Sequence, residues 1–268
     1  MREAVIGQYY PAESVIHRLD ARVKLAGTMI YIISLFLFKS FSCYLVVAAF
    51  LLTVIILSKV PLGYILRGLR TVIFLLIFMS MFNLFFTPGD IVYWKAGPFQ
   101  MTNMGVRNAC FMALRLSLLI IGSSMMTFTT TPNQLTDGLE SLLKPLRKIG
   151  LPVHEIAMMM SIALRFIPIL MEETQKIMKA QMARGASFDE GNLIQKAKSL
   201  VPILVPLFVS AFRRADDLAM AMEARCYHGG DGRTKMKPLR CRGRDYAAYA
   251  ILAVYVALVI VIGKVWYL

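Results

Sequence analysis

The run CYLVVAAFLLTVIILS, residues 43–58, carries no charged side chain, and residues 25–38, 72–86, 105–127 and 246–262 are nearly as apolar. A hydrocarbon layer about 30 Å thick is crossed by roughly 20 helical residues, because inside it every backbone N–H and C=O must be paired within the segment. Each of the five stretches approaches that length, some only with help from their flanks. With 57% hydrophobic and 17% charged residues over 268 positions, the chain is too apolar for an ordinary soluble domain. The expectation is an all-α, multi-pass membrane protein with about five transmembrane helices. The first stretch follows 24 mostly polar residues and does not read as a cleaved signal peptide.

Orientation follows from the 30 lysines and arginines. With a cytoplasmic amino terminus, 25 of them fall inside, three outside (Lys39, Lys95, Lys264) and two within the fourth span (Arg107, Arg115). The carboxyl terminus is then external. The net charge of +14 reflects this positive inner face and anionic headgroups, and no nucleic-acid-binding module is recognisable.

Catalytic constellations are not evident. The chain has no G-x-x-x-x-G-K loop, and His17, His154 and His228 have no metal-binding spacing. Cys226, His228 and Cys241 make three irregularly spaced donors where a structural zinc site needs four. Cys43, Cys110, Cys226 and Cys241 are scattered and imply no disulfide framework. The acidic pairs Glu172-Glu173, Asp189-Glu190 and Asp216-Asp217 read as solvated faces, since adjacent helical residues point apart. Neither an enzyme nor a cofactor is expected.

Along the chain, residues 1–24 form a cytoplasmic segment in which Asp20 caps the first helix and Arg22 and Lys24 sit at the headgroups. A tight outer turn is expected at residues 39–42, and an interfacial half-helix after Lys59-Val60-Pro61, with Arg67 and Arg70 facing phosphates. Residues 25–130 hold four transmembrane helices, with an external hairpin near 88–103 that carries Tyr93 and Trp94 as aromatic-belt residues. Arg115 lies about 15 Å into the fourth span at ~1.5 Å per residue, with no acid in any span to pair with it. A charged side chain there costs at least about 2.5 kcal/mol, so it must face protein or water. A structural hydrogen-bonding role is favoured over a substrate role, and Asn83 in the third span is the candidate neighbour.

Residues 131–245 read as a cytoplasmic domain of three amphipathic helices, and 246–268 as the final span. The first helix opens at Thr131-Pro132. The other two share one plan: an apolar start around Pro168, or around Pro202 and Pro206, then an amphipathic stretch, then Ala-x-x-Ala-Arg. They end at Ala183, Arg184, Gly185 and at Ala224, Arg225, Cys226, so each arginine sits at an exposed helix end. Their charges and prolines favour lying under the bilayer over crossing it. The methionines on these helices, Met158, Met159, Met160, Met178, Met182, Met220 and Met222, are read equally as core or as adaptable binding surface.

These two helix ends, His17-x-Leu19-Asp20-x-Arg22-x-Lys24-Leu25 and Arg165-Phe166-Ile167-Pro168 together resemble the T component of energy-coupling factor (ECF) transporters, across almost the whole chain. The resemblance implies that the cytoplasmic helices are coupling helices. Their Ala-Arg-Gly ends would dock on two ATP-binding-cassette ATPase subunits, while the membrane face holds a substrate-binding S component, for uptake of vitamins or other micronutrients across a bacterial or archaeal cell membrane. Ala183, Arg184 and Gly185 match the first motif, and Ala224 and Arg225 the second. Cys226 stands where glycine is usual, which puts the shape of the second helix end in question, and Ala21 stands where proline is usual. The alternative from the residues alone is a self-sufficient permease or channel.

Overall fold

The computed structural model describes residues 9–37, 41–88, 91–96, 99–186, 188, 192–230, 239 and 241–265. The helices are α1 (Ala21–Leu37), α2 (Phe41–Ser58), α3 (Leu62–Phe86), α4 (Asn103–Thr129), α5 (Pro132–Leu143), α6 (Val153–Ala183), α7 (Leu193–Ala224) and α8 (Gly243–Val265). A hairpin is present at the expected place in the chain, as β1 (Val92–Ala96) and β2 (Phe99–Thr102), paired antiparallel with an irregular step between Val92 and Trp94. The side chains of residues 92–100, and so the belt role of Tyr93 and Trp94, lie outside the description, as do part of the 39–42 turn and the Asp189-Glu190 pair.

The protein is therefore a helical membrane protein whose only strands among the described residues are that hairpin. By length and composition, α2, α4, α6, α7 and α8 can each cross a membrane, and α3 adds a sixth if its two halves, Leu62–Arg70 and Val72–Phe86, count as one span despite a 57° bend. At 17 residues α1 reaches about 25 Å, the short end of a span.

The chain divides into two compact units. One comprises residues 7–142 and 239–268, the other residues 1–6 and 143–238. The core of the first is built from Tyr31 and Leu35 of α1, Tyr44, Val47 and Leu51 of α2, Leu118, Met125 and Phe128 of α4, and Tyr255 and Val259 of α8. Small residues let these helices approach, since between apolar helices in lipid it is close packing and interhelical hydrogen bonds that hold them together. Gly122 leaves room for the Tyr31 ring, onto which a β-carbon would fall. The Tyr31 hydroxyl donates to the Leu118 carbonyl (2.8 Å), and Ser34 and the Tyr255 hydroxyl share a hydrogen bond of 2.6 Å. Helix α5 belongs to this unit, with Gly138 seated against Ala21 and Leu25.

The amino-terminal segment is tied into the same unit by buried polar groups. Asp20 caps α1 as expected, accepting from the Arg22 amide at 2.9 Å. Lys24, expected at the headgroups, is instead only 8% exposed and donates to the carbonyls of Thr129 (2.7 Å) and His17 (3.2 Å). The reason is geometric: the last carbonyls of α4 lack helical partners, and the Lys24 ammonium supplies one. His17 bonds Ser14 through Nδ1 and the Tyr10 carbonyl through Nε2 (2.7 and 3.0 Å), and burial holds its pKa below the ordinary value.

Candidate functional site

The second unit is organised around α6 and α7. Both helices run through their interior prolines, Pro168 in α6 and Pro202 and Pro206 in α7. A proline leaves the carbonyl four residues earlier without its helical donor. The carbonyl freed by Pro206 is that of Pro202, and Gln181 of α6 donates to it at 3.4 Å. Eight residues earlier on α6, Glu173 accepts from Ser210 and from Arg214, whose Nη2 lies at 2.9 Å. A β-carbon on Gly230 would fall onto the His154 ring. Residue numbers in these pairs fall on α6 as they rise on α7, so the two helices lie antiparallel. Glu173, read from sequence as part of a solvated face, is instead a link between them.

Both helix ends are closed the same way. At α6, Arg184 is the cap residue (φ −89°, ψ 7°), Gly185 takes φ +89°, and the Gly185 and Ala186 amides return to Met182 and Gln181 at 3.0 Å each. At α7, Arg225 is the cap (φ −96°, ψ 14°), Cys226 takes φ +54°, and the Cys226 and Tyr227 amides return to Glu223 (2.8 Å) and Met222 (3.0 Å). This is the Schellman arrangement, in which two orphan carbonyls are satisfied by the two residues after the cap. Cysteine thus adopts the left-handed conformation that glycine takes at the first end, and Ala183, Arg184, Gly185, Ala224, Arg225 and Cys226 form two exposed helix ends with the same hydrogen-bond pattern.

Their separation follows from the pairing. On the register set by Glu173–Ser210 and Gln181–Pro202, Arg225 lies level with residue 158 of α6. That is 26 residues from Arg184, or about 39 Å along the axis at ~1.5 Å per residue. The flank between them is apolar and open: Val201, Val205, Phe208 and Phe212 of α7 are each more than half exposed. Among the methionines, Met159, Met160, Met182 and Met220 are exposed, so they line the surface of this unit rather than its core.

The two candidate residues of the membrane interior have different partners. Arg115 of α4 donates from Nε to the Tyr44 hydroxyl at 2.7 Å, and its guanidinium lies over the Phe36 and Tyr44 rings at 5.9 and 5.8 Å. Asn83, the neighbour proposed from sequence, gives its amide to the Met79 carbonyl of its own helix at 3.0 Å. Tyr44 carries the one phenolic hydroxyl of α2 and could have been found as an acceptor long enough to reach Arg115. Asp245 was also missed: it is 2% exposed and accepts from the Asp20 amide across 225 positions. Among the described residues no three His, Cys, Asp or Glu side chains gather as a metal site requires.

Comparison with known proteins identifies the family. The cobalt transport protein family, CbiQ, matches residues 12–236. The energy-coupling factor transporter transmembrane protein EcfT of Thermosediminibacter oceani is 56% identical over 93% of this chain and 94% of its own length. The proteins of the same description from Clostridium kluyveri and Bacillus subtilis are 53% and 45% identical, over 100% and 96% of this chain and 99% and 97% of theirs. With the match running from the amino-terminal segment through both arginine-capped helices, the chain belongs to the family of energy-coupling factor transporter transmembrane proteins.

Proposed function

We propose that this chain is the coupling subunit of an ECF-type importer. Two ATP-binding-cassette ATPase subunits dock at its two arginine ends, one at Arg184 and one at Arg225, and ATP hydrolysis falls to them, with no catalysis by this chain. A membrane-embedded S component binds the apolar flank of α6 and α7 and carries the vitamin or other micronutrient. The amino terminus and residues 131–245 lie in the cytoplasm and the carboxyl terminus outside.

The observation that supports this reading most strongly is the repetition of one cap at opposite ends of an antiparallel pair. Two identical exposed arginines about 39 Å apart are too distant for one small groove and suit two equivalent subunits. An arginine desolvated in a groove contributes about 1.5 to 3 kcal/mol per charge-assisted bond, and its loss costs about 2 to 5 kcal/mol. Closure of the ATPases on ATP then moves the two ends relative to each other. The crossing, held by Glu173, Ser210 and Arg214, passes that motion to the apolar flank.

The test is co-purification of tagged chain with its ATPases and S component, comparing wild type with Arg184→Glu, Arg225→Glu and the double change. Loss of the ATPases from the double variant with retention of the S component supports the reading. ATPase binding and ATP-dependent uptake that survive both reversals would sink it.

A further inference from the structure

The first nine residues of α3 are set apart from the rest of that helix. Leu62–Arg70 makes a 57° angle with Val72–Phe86, and it follows directly on α2, whose last residue is Ser58. Between them the chain turns through Lys59 in the left-handed region (φ +57°) and Pro61. The segment thus starts where one apolar helix ends, and it leaves the direction of the next.

At 100° per residue, Leu62, Ile65, Leu66 and Leu69 share one face of this segment, with Arg70, Gly63 and Arg67 on the adjoining flank. Ile65 is buried in the core, and the Tyr64 ring packs on Tyr10 at 5.1 Å, so the segment is held against the bundle. Leu62 and Leu66, by contrast, are each 63% exposed. Arg67 and Arg70 are exposed beside them, with the Arg67 guanidinium over the Tyr64 ring at 5.6 Å. No Asp or Glu occurs in the sequence between Asp20 and Asp90, so the nearby spans offer these arginines no carboxylate. Water alone suits the arginines but not the leucines, and hydrocarbon alone suits the leucines but not the arginines. The boundary layer of an anionic membrane suits both.

We infer that Leu62–Arg70 is a membrane-surface helix that binds anionic phospholipid headgroups. Leu62 and Leu66 enter the outer part of the acyl layer, and Arg67 and Arg70 donate to phosphate oxygens of lipids of the phosphatidylglycerol type. The bend in α3 makes this geometry, since a straight helix would carry both arginines along the axis of the span. The inference rests on the membrane insertion of α2 and of the second half of α3, and it is independent of where the ATPases dock.

The test uses the full chain in vesicles, with Trp94→Phe and Trp266→Phe removing the native fluorescence and Leu62→Trp, or Leu66→Trp, adding a probe on the leucine face. Phe74→Trp, 79% exposed on the second half of α3, reports insertion. Brominated phosphatidylglycerol should quench the probe at residue 62 in preference to brominated phosphatidylcholine, by about five-fold for each arginine. Arg67→Gln with Arg70→Gln should bring the two lipids to parity without abolishing quenching, and inorganic phosphate in the buffer should leave the preference intact. Equal quenching by the two lipids with both arginines present would overturn the inference. So would quenching by aqueous acrylamide in place of lipid, or loss of the preference to inorganic phosphate, which would mark a soluble-anion site.

Discussion

Removing the Asp245 carboxylate should release the amino-terminal segment from the start of α8. Asp245 is 2% exposed, and its two oxygens accept from the Asp20 amide (3.0 Å) and the Arg242 amide (2.7 Å). In Asp245→Ala both amides lose their acceptor, the Asp20 amide at a half-buried residue and the Arg242 amide at an exposed one. A buried donor left unpaired costs about 1 to 3 kcal/mol, and that cost falls chiefly on the Asp20 amide, since water reaches the exposed Arg242. Asp245→Asn keeps one acceptor oxygen and turns an NH2 towards the other amide, for about half that cost. Because every 1.4 kcal/mol is ten-fold, hydrogen exchange at the Asp20 amide in Asp245→Ala should accelerate by about five-fold to a hundred-fold. The assay is exchange with mass-spectrometric readout on the full chain in nanodiscs, with α6 and α7 as internal reference. Exchange at Asp20 that stays within a factor of about three of wild type, with α8 still protected, would refute this account of the tie.

Further outcomes follow from individual geometries. Cys226→Gly removes the cost of a side chain in the left-handed region, about 1 to 2 kcal/mol, offset in part by a more flexible unfolded chain. Slower exchange in the last turn of α7 is expected, and faster exchange for the β-branched Cys226→Val. Gly122→Ala places a methyl on the Tyr31 ring and should cost about 1 to 3 kcal/mol of overpacking, read as a lower thermal transition in detergent. Burial lowers the His17 pKa below 6.5, with the Lys24 charge adding to the effect, so the folded state prefers the neutral ring. The stabilisation from that preference is complete above pH 6.5 and is lost as pH falls through the folded value. Protection of the Tyr10 to Lys24 segment should therefore decline on acidification, and His17→Gln should flatten that dependence.

The helical, membrane-embedded class was legible because apolar runs near the length of a bilayer leave few alternatives. The hairpin was legible from turn residues between strand formers, and the paired helix ends from a repeated Ala-x-x-Ala-Arg followed by Gly185 or by Cys226. Other features depend on partners distant in sequence. Lys24 looked like a headgroup anchor because its acceptor, the Thr129 carbonyl, lies 105 positions away and is a backbone group that no side-chain pattern announces. Arg115 was matched to Asn83 by depth, yet an amide on a helix can serve its own backbone, and the phenolic hydroxyl of Tyr44 was the nearer acceptor. Charge and position grouped α5 with α6 and α7, whereas the small Gly138 lets it pack on α1. The antiparallel register of α6 and α7, which separates the two arginines, came from contacts of Glu173, Gln181 and Gly230 that periodicity does not encode.

The claim that Arg184 and Arg225 each meet an ATPase can be tested with the chain's own thiol. Cys226 is exposed beside Arg225, and Cys43, Cys110 and Cys241 can be replaced by serine to leave it alone. Gly185→Cys with Cys226→Gly then moves the same probe to the equivalent position of the first helix end, where the backbone conformation is shared. With a benzophenone maleimide on either thiol in the assembled complex, illumination should cross-link this chain to an ATPase subunit from both positions, in an ATP-dependent yield. Cross-links from both positions only to lipid or to other parts of this chain would contradict the account.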